Sequence, residues 1–139
     1  MFSVLVAALT VAAPVPKGLK PSDPAALLGT WELTTATHSG QPYPSAHGTK
    51  WTFRDDGTAK RDRPDDGIST AKYKLDPKAS PKEFDWDTVE GNSFVGIYEL
   101  DGDTFRVVLR YDVKAGRPTG MKDTDGAYLF VFKRVEVKK

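Results

Sequence analysis

The chain contains no cysteine. Disulfides, thiolate metal sites, lipid attachment through a thiol and thiol catalysis are therefore excluded. It also lacks an excess of either charge: 20 basic residues stand against 19 acidic ones, a formal charge of +1. So even a balance creates no long-range field to draw in DNA, RNA or an anionic membrane, and no nucleic-acid partner is expected. Histidine is scarce, with His38 and His47 the only imidazoles. A zinc site needs three or four ligands with hydrogen-bonded support, so two loop histidines beside Ser39 and Ser45 predict no metal centre. The stretches "DRPDDG" and "DTDG" superficially resemble calcium loops. Counting from Asp62, however, the third position is Pro64 and the twelfth is Tyr73, which cannot supply the oxygen ligands such a loop needs. No GxSxG, phosphate-binding glycine loop or dinucleotide fingerprint occurs, so neither an enzyme nor a cofactor is expected. No stretch shows sustained helical periodicity.

What is present begins with "MFSVLVAALTVAAPVPKG". Phe2 to Ala13 is an apolar run of signal-peptide length ending in small residues, and it is too short to span a bilayer comfortably. Residues 1–13 are therefore expected to be a leader, and the protein to be exported, either periplasmic or secreted, with no transmembrane segment after the leader. Residues 14–24, "PVPKGLKPSDP", hold four prolines and one glycine. They read as an extended linker over 14–25, with Ser22 or Asp23 placed to cap a short helical turn. Residues 26–136 form the single remaining domain.

Within that domain turn signals recur about every ten residues, the spacing of an all-β sandwich or barrel. Eight strands are expected: 30–37, 49–54, 58–63, 69–75, 83–89, 94–100, 104–111 and 127–135. Most connections are of hairpin length, which predicts an eight-stranded antiparallel up-and-down barrel. Two connections are long, residues 38–48 and 112–126.

Three registers can be argued from residue pairing. Matching Leu75 to Phe84 and Tyr73 to Trp86 sets Lys74 against Asp85 and Lys72 against Asp87. Apolar pairs then fall on one face and opposite charges on the other. Glu83, Asp85 and Asp87 accordingly read as a solvated outer face and not as a catalytic carboxylate cluster. "FRDDGTA" predicts a three-residue turn with Gly57 left-handed, pairing Phe53 with Ala59 and Trp51 with Arg61. "YELDGDTF" predicts an Asp101-Gly102 turn, pairing Leu100 with Asp103 and Tyr98 with Phe105.

Gly29-x-Trp31 on the first strand and Lys133-Arg134 at the end of the last resemble the lipocalin-like (calycin) barrels. In those barrels the tryptophan closes the base and a basic side chain packs across its ring. The resemblance implies that Gly29, Trp31 and either Lys133 or Arg134 form the barrel base. A narrower resemblance runs through "LLGTWELTTATHSGQPYP", "WTFRDDGTAK", "YKLDPKASPKEFDW", "GIYELDGDTFRVVL", "GRPT" and "LFVFKRV". These stretches are similar to a lipocalin-like domain family of unknown function that is abundant in planctomycete bacteria. That likeness implies the barrel and an exported or envelope setting, and brings no activity with it.

Two functions follow as expectations. The first is non-covalent binding of a small apolar or amphipathic molecule in a shallow cup lined by Trp51, Phe53, Tyr73, Trp86, Tyr98 and Phe105. Arg61 and Arg63 would point inward at its mouth. Buried cations are costly unless paired, so these two would suit an anionic head group; the alternative is a strand splayed at the rim with both faces wet. The second is a solid barrel acting as a structural or protein-interaction module through loops 38–48 and 112–126. Its patch would lie around Tyr43, Pro44, Arg117 and Met121.

Overall fold

Alternation of apolar and polar side chains between short turns becomes a sheet that closes on itself. The computed structural model describes residues 22–64, 66–111 and 113–135; the expected leader and most of the linker lie outside them. A one-turn helix, α1 (Asp23–Leu27), precedes β1 (Gly29–His38), β2 (Gln41–Pro42), β3 (Lys50–Phe53), β4 (Thr58–Arg63) and β5 (Gly67–Asp76). Then follow β6 (Glu83–Thr88), β7 (Ser93–Asp101), β8 (Thr104–Arg110) and β9 (Ala127–Arg134). All pairings are antiparallel. β1 and β3 to β9 pair in chain order and β9 returns to β1, which makes an eight-stranded up-and-down barrel. β2 is an extra two-residue strand outside the ring, beside the end of β1.

The eight strands match the expected ones to within two residues at each end. The β5–β6 register is as expected, with Lys72 opposite Asp87, Tyr73 opposite Trp86, Lys74 opposite Asp85 and Leu75 opposite Phe84. So is β3–β4, where Phe53 meets Ala59 and Trp51 meets Arg61. Gly57 at φ +83° supplies the left-handed residue that this turn needs. The β7–β8 hairpin differs. Leu100 pairs with Phe105, Tyr98 with Val107 and Asp101 with Thr104, a slip of two residues from the expected register. The turn is centred on Gly102-Asp103, with glycine at φ +59° in its first central position, where tight hairpins want a positive φ. A two-residue slip keeps every side chain on its face, so the inner surface is unchanged.

That inner surface is aromatic. Trp31, Trp51, Phe53, Phe84, Trp86, Tyr98, Phe105 and Phe132 are all buried in one cluster. Trp51 and Trp86 stack near its centre, with ring centroids 4.1 Å apart and planes 15° from parallel. An eight-stranded barrel is about wide enough for its side chains to fill it, and the lower half of this one is filled. A second, smaller cluster sits outside the barrel wall, where Ile97, Val108 and Ala127 are buried with Met121 and Leu129 packed on them. The long β8–β9 connection covers it. Arg110, only 7% exposed, holds that connection by donating to the Gly116 and Asp125 carbonyls and to Asp123 Oδ1.

Candidate functional site

The two ends of the barrel are built differently. At the base, α1 lies across the opening and buries Leu27 completely. Trp31 donates its indole N–H to the Leu27 carbonyl at 2.8 Å. Arg134, directly opposite Trp31 in the β1–β9 register, lays its guanidinium over the Trp31 ring 4.3 Å from the centroid. The same guanidinium donates to the Leu28 carbonyl at 3.1 Å, to the Ala26 carbonyl, and to Asp103 Oδ1 at 3.1 Å. Lys133, one residue earlier, points the other way; its ammonium reaches Thr104 Oγ1 on the outer surface. The basic residue of the base is therefore Arg134. Gly29 starts the strand at φ +109°, a left-handed conformation that side chains rarely tolerate.

Tyr98 belongs to this end as well. Its hydroxyl donates to Asp23 Oδ2 at 2.7 Å, and Lys82 Nζ donates to the same oxygen at 2.8 Å. Burial pushes the Asp23 carboxyl upward, but the hydrogen bonds from Lys82 and Tyr98 and the Lys82 charge outweigh it and hold the group below its usual range. Burial and the Asp23 carboxylate push the Tyr98 phenol well above its ordinary range.

The opposite end is open. A cavity of about 110 Å³ lies there between Leu33, Tyr43, Ala46, Thr49, Trp51, Arg61, Arg63, Trp86, Phe94, Leu109, Tyr128, Phe130 and Phe132. Its floor is the Trp51–Trp86 stack. Its rim holds Tyr43 and Tyr128, ring centroids 5.5 Å apart, with His38 4.4 Å from Tyr128. Burial and the neighbouring Tyr43 raise the Tyr128 phenol above its ordinary range. Arg61 makes one long ion pair, 3.4 Å from Asp66 Oδ2.

Of the eight side chains expected to form a cup, Trp51, Arg61, Arg63 and Trp86 line this cavity. Phe53, Tyr73, Tyr98 and Phe105 do not; they pack together in the filled half beneath it. Tyr73 donates its hydroxyl to the Arg54 carbonyl near the base. The physical reason is depth. Inward-facing residues alternate along every strand, but only those nearer the open end reach the cavity. The lining residues missed by sequence come largely from the 38–48 connection, with Tyr43 and Ala46, and from β9, with Tyr128, Phe130 and Phe132. A bulge between Leu33 and Thr35 shifts the pairing of β1 with β9, which buries Ala36 where simple alternation from Trp31 would bury Thr35.

The loop patch expected around Tyr43, Pro44, Arg117 and Met121 is divided. Tyr43 turns into the cavity, while Met121 packs on the outer cluster. Arg117 is engaged, donating to Asp85 Oδ1 at 2.7 Å and to the Gly96 carbonyl at 2.9 Å, with Glu83 3.6 Å away. On the outer carboxylate face Arg117 thus meets Glu83 and Asp85, while Lys74 and Lys72 lie opposite Asp85 and Asp87. Among the described residues no three His, Cys, Asp or Glu side chains gather as a metal site, and no helix is long and apolar enough to cross a membrane. Against protein-family models and the sequences of curated proteins the chain finds no match.

Proposed function

We propose that this is an exported lipocalin-like domain that binds a small apolar or amphipathic molecule non-covalently at the open end of its barrel. One observation carries the reading: a cavity of about 110 Å³ walled by aromatic side chains opens at one end of a barrel whose other end is sealed. Concave, mostly apolar sites with a few polar groups are where small molecules bind. The apolar run Phe2–Ala13 supports export. The base of Gly29, Trp31 and Arg134 supports kinship with the lipocalin-like family abundant in planctomycete bacteria. No reaction is part of the proposal.

The test is native mass spectrometry of the protein purified without detergent, before and after delipidation. An extra mass that disappears on delipidation is expected and would identify the ligand. A clean apo mass, with no uptake of apolar fluorescent probes, would overturn the reading.

A second reading has one observation in its favour. Ile68, Val89, Tyr111 and Val113 are 67%, 71%, 56% and 49% exposed, and all lie in or beside connections at the open end. A protein partner seated on that rim would cover them, and a filled, ligand-free barrel would favour this role.

A further inference from the structure

The chemistry of the ligand can be taken further, on the reading that the open end is a binding cup. Trp51 and Arg61 are direct register partners on β3 and β4. Their side chains therefore leave the same inner face next to one another. The Trp51 indole Nε1–H and the Arg61 Nε–H are both buried, and neither has an acceptor among the described residues. Both residues line the cavity. Buried donors of this kind are ordinarily paired, and the base of the same barrel obeys that rule: Trp31 Nε1–H and the Tyr98 hydroxyl each have an acceptor within 2.8 Å. The charge on Arg61 is only partly answered, since its ion pair with Asp66 is long and the Asp66 side chain is 60% exposed.

We infer that the cup takes a small monocarboxylate whose body is a single ring or a short chain. One carboxylate oxygen accepts from Trp51 Nε1–H and the other from Arg61 Nε–H, while the body lies against Trp86, Phe94 and Phe130. Charge-assisted hydrogen bonds of this kind are the strong ones, and a planar pair of oxygens suits two neighbouring N–H donors. Size sets the body. An apolar cavity of about 150 Å³ holds a benzene molecule, so a cup of about 110 Å³ takes one ring or a short chain partly seated in its mouth. A long acyl tail has no room.

The test uses benzoate, hexanoate, benzyl alcohol and phenyl phosphate with the purified protein, followed in nitrogen–proton correlation spectra. Benzoate and hexanoate are expected to shift the Trp51 indole and Arg61 Nε resonances saturably downfield, with benzyl alcohol binding about tenfold more weakly or worse. Arg61→Met is expected to weaken benzoate by about tenfold or more while leaving benzyl alcohol within about twofold. Trp51→Phe assigns the indole signal and weakens benzoate through a second, independent variant; it decides the matter if Arg61→Met does not fold. Benzyl alcohol or phenyl phosphate binding as tightly as benzoate, or benzoate binding untouched by both variants, would overturn the carboxylate assignment and leave the cup standing. If none of these compounds binds and an apolar fluorescent probe also stays free, the cup itself fails.

Discussion

The two ends of this barrel use the same residue types for opposite purposes. Each has a buried tryptophan and an inward arginine on neighbouring strands: Trp31 with Arg134 at the base, Trp51 with Arg61 at the open end. At the base the polar atoms of that pair are satisfied, by backbone carbonyls of the α1 segment, by Asp103 and by the indole face. At the open end the indole N–H and the guanidinium Nε–H have no acceptor within the described residues. A pair with its hydrogen bonds made contributes stability, whereas buried donors without acceptors cost it; on the proposed reading, a ligand completes the second pair. The difference lies in what crosses the opening. α1 supplies carbonyls at one end; at the other, the 38–48 connection contributes Tyr43 and Ala46 to the lining, and among the described residues no group accepts from the Trp51 and Arg61 donors.

The sharpest way to break this comparison is at the base. Trp31 is fully buried, so Trp31→Ala should destabilise the domain by about 3–5 kcal/mol, read from urea unfolding. A near-neutral outcome would mean that the base is not a structural seal. Arg134→Met should come next, at about 2–3 kcal/mol, because it removes the cation over the indole and leaves carbonyls of the α1 segment without their donor. Arg134→Lys should restore only part of the loss, since an ammonium cannot span those acceptors as a planar fork does.

A smaller effect sharpens the base by pH. The Asp23 carboxyl sits below its ordinary value near 3.8 in the folded protein. Its contribution to stability is therefore present above that value and lost as pH falls through the folded one. Asp23→Asn should flatten the acid limb of a stability–pH curve relative to the wild type. The sign reverses for Tyr98, whose phenol is raised above its ordinary value of 10.0. Its contribution is complete below that value and declines as pH rises beyond it. Tyr98→Phe should cost about 1 kcal/mol at neutral pH and remove that alkaline decline; an unchanged alkaline slope would dissociate Tyr98 from the seal.

How much of this was legible beforehand depended on sequence distance. Hairpin partners are near neighbours in the chain, so charge and apolar pairing placed Lys72 opposite Asp87, and the turn at Gly57 placed Trp51 opposite Arg61. Pairing fixes only the parity where alternatives differ by two residues. Tyr98 against Phe105 and Tyr98 against Val107 both place aromatic or aliphatic partners on the inner face, and the position of Gly102 in the turn decided between them. The base was legible as far as Trp31 and a basic partner. The choice of Arg134 over Lys133 followed from which face β9 turned inward. Asp23 and Tyr98, separated by 75 positions, left no local trace. The cavity was half legible. Its sequence-derived residues ran too deep, because alternation tells inside from outside and says nothing of height along the barrel.

The finest test is at the open end, where the comparison demands almost nothing. Arg61→Met removes an ion pair of 3.4 Å to a carboxylate that is 60% exposed, worth about 0–1 kcal/mol. It also removes a buried Nε–H without an acceptor, a group whose burial costs about 1–3 kcal/mol. The two contributions oppose one another, and the methionine chain keeps the apolar contact of the arginine stem. Urea unfolding should therefore find the variant within about 1 kcal/mol of the wild type, or more stable. A loss as large as that from Arg134→Met would mean that Arg61 is as fully engaged in the free protein as its counterpart at the base. The open end would then be a second seal with its donors already spoken for, and there would be no unmet hydrogen bond for a ligand to complete.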